Sequence, residues 1–110
     1  MKEEQLQETG FIYNTTTQVH HSIIEGWLQW MKEIHIPETL HTKCFDRHQL
    51  VKLLHVDETD GVIYAVQYFL SSKAQYNRYV EIYAPALREK ALNKWGDKII
   101  SFHSLMQVVH

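Results

Sequence analysis

The chain has 110 residues, 45% of them hydrophobic and 22% charged, with a formal net charge of -2. That length fits one domain whose core needs neither disulfides nor a structural metal. The acidic balance, with Lys and Arg scattered rather than clustered, argues against a domain that binds nucleic acid by neutralising phosphates. The single Cys44 excludes an internal disulfide framework and accords with a reducing cytoplasm.

The N-terminal MKEEQLQETG lacks the apolar segment of a secretory signal, and no apolar run is long enough to span a bilayer. The expectation is a cytoplasmic protein without a membrane partner. Residues Met1 to Thr9 are polar and aperiodic and read as a loose leader. FIYNTTTQV, Phe11 to Val19, is rich in β-branched and aromatic residues and reads as strand one. Phe11, Tyr13, Thr15, Thr17 and Val19 fall on one side, and the more polar Ile12, Asn14, Thr16 and Gln18 on the other.

Ser22 with Glu25 has the capping-box spacing that opens a helix. Ile23, Trp27, Met31 and Ile34 then recur at helical spacing, with Ile24, Leu28 and Trp30 widening the stripe. Pro37 is predicted to end this helix, because the residue before a proline is pushed out of the α region. Residues Pro37 to Cys44 then form a connector. Phe45 to Val56 reads as strand two, and its mixed sidedness and Lys52 suit an edge. Asp57-Glu58-Thr59-Asp60-Gly61 reads as a hairpin turn, and Val62 to Phe69, polar only at Gln67, as a central strand three.

Ser72 and Gln75 form a second capping box. Tyr76, Tyr79, Val80, Tyr83 and Leu87 follow at helical steps. Pro85 is expected to kink or restart the helix, since it lacks a donor and crowds the carbonyl of Glu81. Ala91, Leu92 and Trp95 continue the stripe, Gly96 stands at the C-cap position, and Lys98 to Val109 is strand four. The order β-α-β-β-α-β predicts an α+β, ferredoxin-like fold. Right-handed crossovers put both helices on one face of a four-stranded antiparallel sheet. The other face stays open but carries many apolar side chains, so pairing with a second copy, as in a dimeric α+β barrel, is the predicted way of covering it.

The stretches IYNTT, HSIIEGWLQWMKEIHIPETL, YAVQY, YNRYVEIYAPALREKAL and FHSLMQVV resemble the bacterial family catalogued as domain of unknown function 4286, over Phe11 to Val109. The resemblance implies a small intracellular protein of Bacteroidetes-like bacteria with the layout of the dimeric α+β barrels, and no particular activity. Two positions depart from the family pattern. Thr42-Lys43 stands where the family usually has Thr-Gly before the second strand, so the turn must form without glycine or differ in shape. His103 stands where the last strand usually has Arg, so a role of that Arg in holding an anion does not carry over directly.

Eight histidines raise the question of a metal. His41, His48 and His55 recur every seven residues, but an odd separation puts His48 and His55 on opposite faces of a strand, and no HExxH or paired-Cys pattern is present. No metal and no cofactor are predicted. His35 sits at the end of the predicted helix one, where the dipole would raise its pKa; it reads either as an acid–base group at a cleft mouth or as a cap on the last carbonyls. Tyr64, Tyr68, Tyr76, Tyr79 and Tyr83 could wall a pocket between sheet and helix two, or simply pack the core. Asn14, Thr16 and Gln67, with His103 or Ser104, could share a hydrogen-bonding patch. Arg88 is the best anion-binding candidate, with an ion pair to Glu81 or Glu89 as the alternative. Cys44 reads as a buried structural thiol.

Three functions remain open. The first is a homodimeric binding or structural module that takes a small hydrophobic or anionic ligand at Asn14, His35, Gln67, Tyr68, Arg88 and His103. The second is a small-molecule enzyme of the dimeric α+β barrel type, like a cofactor-independent monooxygenase or isomerase. Asn14 resembles the Asn of haem-degrading proteins of that superfamily, but their strand-borne Trp is missing here, so no haem is predicted. Nucleic-acid binding on the open sheet face lacks the aromatic and basic motif of RNA-binding sheets.

Overall fold

The computed structural model describes residues 10–110; the leader expected over Met1 to Thr9 lies outside them. Among the described residues, four strands form one antiparallel sheet in the order β2-β3-β1-β4. They are β1 (Phe11–Val19), β2 (Arg47–Lys52), β3 (Val62–Leu70) and β4 (Ile99–Gln107). Helix α1 runs over residues 24–41, between β1 and β2, and helix α2 over residues 73–95, between β3 and β4. This is the α+β, ferredoxin-like arrangement that the order of elements predicts.

The register decides which side chains share a face. Tyr13 lies opposite Tyr68 and Leu105, Thr15 opposite Val66 and His103, and Thr17 opposite Tyr64 and Ser101. These face the helices: Tyr13 meets Tyr79 of α2, and Tyr64 meets Trp27 of α1. Val19, Val62, Val66 and Leu70 complete the strand side of the core, against Trp27, Met31, Ile36, Ala84 and Leu87. Each large apolar side chain buried this fully contributes roughly 1.5–3 kcal/mol. The other face carries Ile12, Asn14, Thr16 and Gln18 from β1, with Ile100, Phe102, Ser104 and Met106 beside them on β4. Among the described residues no helix covers it, and Phe102 is 68% exposed.

Both helices run through the prolines predicted to stop or break them. Met31–His35 forms a π-helical turn, and Tyr79–Tyr83 forms another. The N–H of Ile36 bonds the carbonyl of Met31, and that of Ala84 the carbonyl of Tyr79. The widened turn ends just before each proline, which then occupies the first turn of the following α segment, where its missing N–H is not needed. Ile36 keeps helical angles, φ -64 and ψ -45, despite preceding Pro37. The sequence repeats the device: Glu33-Ile34-His35-Ile36-Pro37 matches Glu81-Ile82-Tyr83-Ala84-Pro85.

Other boundaries shift for local reasons. Ser22 does not cap α1. It sits inside a short entry turn, His21–Ile23, and its own N–H is capped by His20 Nδ1 at 3.1 Å. The box of Ser72 and Gln75 does form on α2. Helix α1 ends on Lys43, whose N–H bonds the carbonyl of Leu40 at 3.1 Å and whose φ is +65, a left-handed conformation held without glycine.

Strand β2 is shorter than Phe45 to Val56 because Phe45 turns into the core against Tyr13 and Tyr79, while His55 leaves the extended region at φ +60. The tight Asp-Gly hairpin is therefore replaced by a loop over residues 53–61, in which Asp57 Oδ1 accepts from the Thr59 N–H at 2.9 Å. Gly61 is required there: a Cβ would collide with the carbonyl oxygen of Val19. Gly96 closes α2 at φ +57, and β4 starts one residue after Lys98 and stops at Gln107.

Candidate functional site

The sheet separates the six candidate residues into two groups. Asn14 and Gln67 are register partners on the open face. Asn14 Nδ2 donates to Thr16 Oγ1 at 2.9 Å, and Gln67 Oε1 accepts from Gln49 Nε2 at 2.8 Å. Ser104 lies opposite Asn14 and belongs to this patch. His103 does not: it is one residue away on β4 and points to the helix side, as alternation requires. There it meets His35 from α1 and Arg88 from α2 around one cavity.

That cavity has a volume of about 310 Å³. Thr15, Thr17, Ser101 and His103 of β1 and β4 form its floor. Trp27, Trp30, Met31 and His35 form the α1 wall, and Arg88, Ala91 and Leu92 the α2 wall. The predicted tyrosine wall is not what encloses it. Tyr64 packs at a tilt against Trp27 in the core, and Tyr79 is buried against Phe45. A second space of about 30 Å³, the size of one water, adjoins it between Tyr13, Thr39, Tyr68 and Tyr79.

One hydrogen-bonded chain orders the polar end. Arg88 Nη2 donates to the Tyr13 hydroxyl oxygen at 2.9 Å instead of pairing with Glu81 or Glu89. A guanidinium can only donate, so the Tyr13 oxygen is the acceptor there and its own proton is free to point onward. The next atom is His103 Nδ1 at 3.0 Å, with Thr15 Oγ1 3.2 Å from the same nitrogen. In the tautomer whose Nδ1 accepts that proton, the neutral ring carries its own on Nε2. Burial, then the Arg88 cation, then His35 push the His103 pKa down to about 4, so the ring is neutral near pH 7.

His35 stands within α1 rather than at its end, since the helix continues to His41. It stacks on Trp30 with centroids 4.7 Å apart. Burial lowers its pKa, outweighing the opposing pull of Glu38, which reverses the rise expected at a helix terminus. Its Nδ1 is buried and has no hydrogen-bond partner among the described residues. Tyr68 is buried between Phe45, Tyr13 and His48; burial raises its pKa and keeps the hydroxyl protonated.

Tyr13 was not singled out from the sequence, yet it touches Phe45, Tyr68, Tyr76, Tyr79 and His103. Its signal is parity: once β1 and β4 pair in antiparallel register, odd positions on one strand face odd positions on the other. Cys44 is fully buried, its thiol 3.7 Å from the Thr42 carbonyl. Among the described residues, no three His, Cys, Asp or Glu side chains converge, and no helix is long and apolar enough to cross a membrane.

The family model described as Domain of unknown function (DUF4286) matches residues 10–109. The chain belongs to this family. Its description assigns no activity, so membership identifies the lineage of the fold and leaves the cleft to be read from its own chemistry. Among solved structures, a dimeric ferredoxin-like protein from an uncultured marine organism superposes with a TM-score of 0.63. It is 12% identical, over 94% of this chain and 98% of that one. At that identity the likeness shows the fold. No curated protein matches the sequence.

Proposed function

We propose that this DUF4286 member is a homodimeric binding module of the bacterial cytoplasm, each copy holding a small hydrophobic or anionic ligand between sheet and helices. The observation that carries the reading is the cleft itself. Apolar walls with a few converging polar groups are the usual make-up of a small-molecule site, and here Arg88, His35 and His103 meet the indoles of Trp27 and Trp30. Tyr68 supports the floor from beneath through Tyr13.

The open face supports pairing with a second copy. Ile100, Phe102 and Met106 expose 53%, 68% and 37% of their surface along β4. The strand positions on that face carry no carboxylate and one cation, Arg47, which lies over the Phe69 ring at 3.8 Å. Two copies related by a two-fold axis would therefore meet without buried repulsion. Asn14 and Gln67 would lie in the interface with one end of each amide already bonded. The solved relative is itself described as dimeric. The fully buried Cys44 suits a reducing compartment.

Thermal-shift titration tests the reading, since a ligand that binds only the native state raises its apparent stability. Small acids and apolar ring compounds are expected to stabilise the protein, and the absence of any shift with both classes would overturn it. The chain from Arg88 through Tyr13 to His103 also favours a second reading, acid–base chemistry on the bound compound. That reading requires the ligand to be converted; its recovery unchanged after long incubation leaves binding alone.

A further inference from the structure

We infer that the cleft takes a small monoanionic acid built on a flat apolar ring, with the acid group at Arg88 and the ring against Trp27 and Trp30. This rests on the binding reading above and names the ligand class for the same site. Charge decides the acid. Among the described residues, Arg88 is the only permanently charged one lining the cavity, and no Asp or Glu lines it. Among the described residues no carboxylate pairs with the Arg88 guanidinium: the ion pair nearby joins Lys90 and Glu38 at 3.2 Å. One of its donors is spent on Tyr13, and a guanidinium fork has others suited to a carboxylate.

His103 adds a second donor. With Nδ1 against the Tyr13 hydroxyl, Nε2 is the nitrogen left for a ligand, and it donates in the tautomer whose Nδ1 accepts from Tyr13. Neutral His35 and His103 add no charge, which matches one anionic charge rather than two. Size and surface decide the rest. About 310 Å³ holds roughly ten waters' share of liquid and lies at the small end of ligand pockets. That admits a one- or two-ring compound and is too small for a tetrapyrrole. Indole, thioether and aliphatic walls from Trp27, Trp30, Met31 and Leu92 favour a flat apolar body.

The test is calorimetric and thermal-shift titration of the full chain with 1-naphthoate, its uncharged amide 1-naphthamide, and acetate. The expected result is that naphthoate binds roughly tenfold or more tightly than naphthamide, the scale of one charge-assisted hydrogen bond, and that acetate is weaker than naphthoate. Arg88→Met should erase the preference for the acid, while Arg88→Lys retains part of it. Near-ultraviolet dichroism and the melting temperature of each unliganded variant show that it is folded, so a lost preference is not lost structure. Naphthamide binding as tightly as naphthoate, or an unchanged preference in folded Arg88→Met, would overturn the acid assignment while leaving the binding reading intact. No binding by any of the three at millimolar concentration would overturn both.

Discussion

Arg88 on α2 donates to the hydroxyl oxygen of Tyr13 on β1 at 2.9 Å, and that bond sets the direction of the proton next to it. Because Tyr13 accepts from Arg88, its own proton is left for His103 3.0 Å away, and the tautomer that takes it has a free Nε2–H. Replacing Tyr13 by Phe removes both connections at once. The expected cost is about 0.5–1.5 kcal/mol in urea unfolding, the usual net worth of a hydrogen bond, because Arg88 and His103 are exposed and water can replace the lost partner. An unchanged midpoint would show that the chain is incidental.

Arg88 also helps to keep His103 neutral. In an Arg88→Gln variant the second of the causes that lower the His103 pKa is gone, so the value should rise from about 4 toward that of a free histidine. NMR titration of the ring protons reads this directly. A value that stays near 4 would assign the whole depression to burial and His35.

Stability should fall as the solution is acidified from about pH 6.5 to about pH 4. A histidine whose folded pKa is lowered leaves the unfolded chain binding more protons across that interval, so unfolding gains free energy as protons are added. Above the window both states are neutral at this ring, and below it both are protonated. The ring is half-exposed and solvent screens it, so its share is at most about 1–2 kcal/mol. Melts across the window should show a reduced slope in His103→Gln. An identical slope would contradict the assignment.

Lys43 holds φ +65 at the end of α1, a conformation that favours glycine. Lys43→Gly is expected to stabilise the protein by about 0.5–1 kcal/mol, the backbone strain relieved minus the extra freedom of glycine in the unfolded chain. The Arg78 bond to this residue goes to its carbonyl and survives the change. Lys43→Ala should gain nothing, since it keeps a Cβ. Equal effects of the two substitutions would remove backbone strain as the cause.

Much of this architecture is legible in the residues. The run Phe11 to Val19 marks β1 at both ends, and the element order alone leads to the sheet topology. The paired cap of Ser72 and Gln75 is also readable. The misread helix stop at Pro37 has a definite cause: the rule that proline ends helices assumes a regular α turn before it, and a π turn removes the conflict. The repeated Glu-Ile-x-x-Pro string was the available clue. The residues alone leave His103 and Ser104 as alternatives beside Asn14. Their separation by the sheet follows only from the register, which places Asn14 opposite Ser104. The expected rise of the His35 pKa fails with the helix stop at Pro37, since a group at a helix end and one in mid-helix beneath a tryptophan have opposite electrostatics.

Phe102→Asp should yield a monomer. The side chain lies on the open face, 68% exposed, and a carboxylate there would put an unpaired charge into the proposed interface. Light scattering is expected to give twice the chain mass for the natural sequence and the single chain mass for the variant. A natural protein that is monomeric at micromolar concentration would contradict the pairing.

The most direct test of the account is an NMR titration of the full chain with 1-naphthoate, following side-chain signals on both faces of the sheet. The account predicts shifts at the Trp27 and Trp30 indole N–H groups, the His35 and His103 rings and the Arg88 guanidinium, with the Asn14 and Gln67 amides unmoved. Shifts at Asn14 and Gln67 with the indoles and His103 unchanged would contradict it, and would put the binding surface on the open face instead.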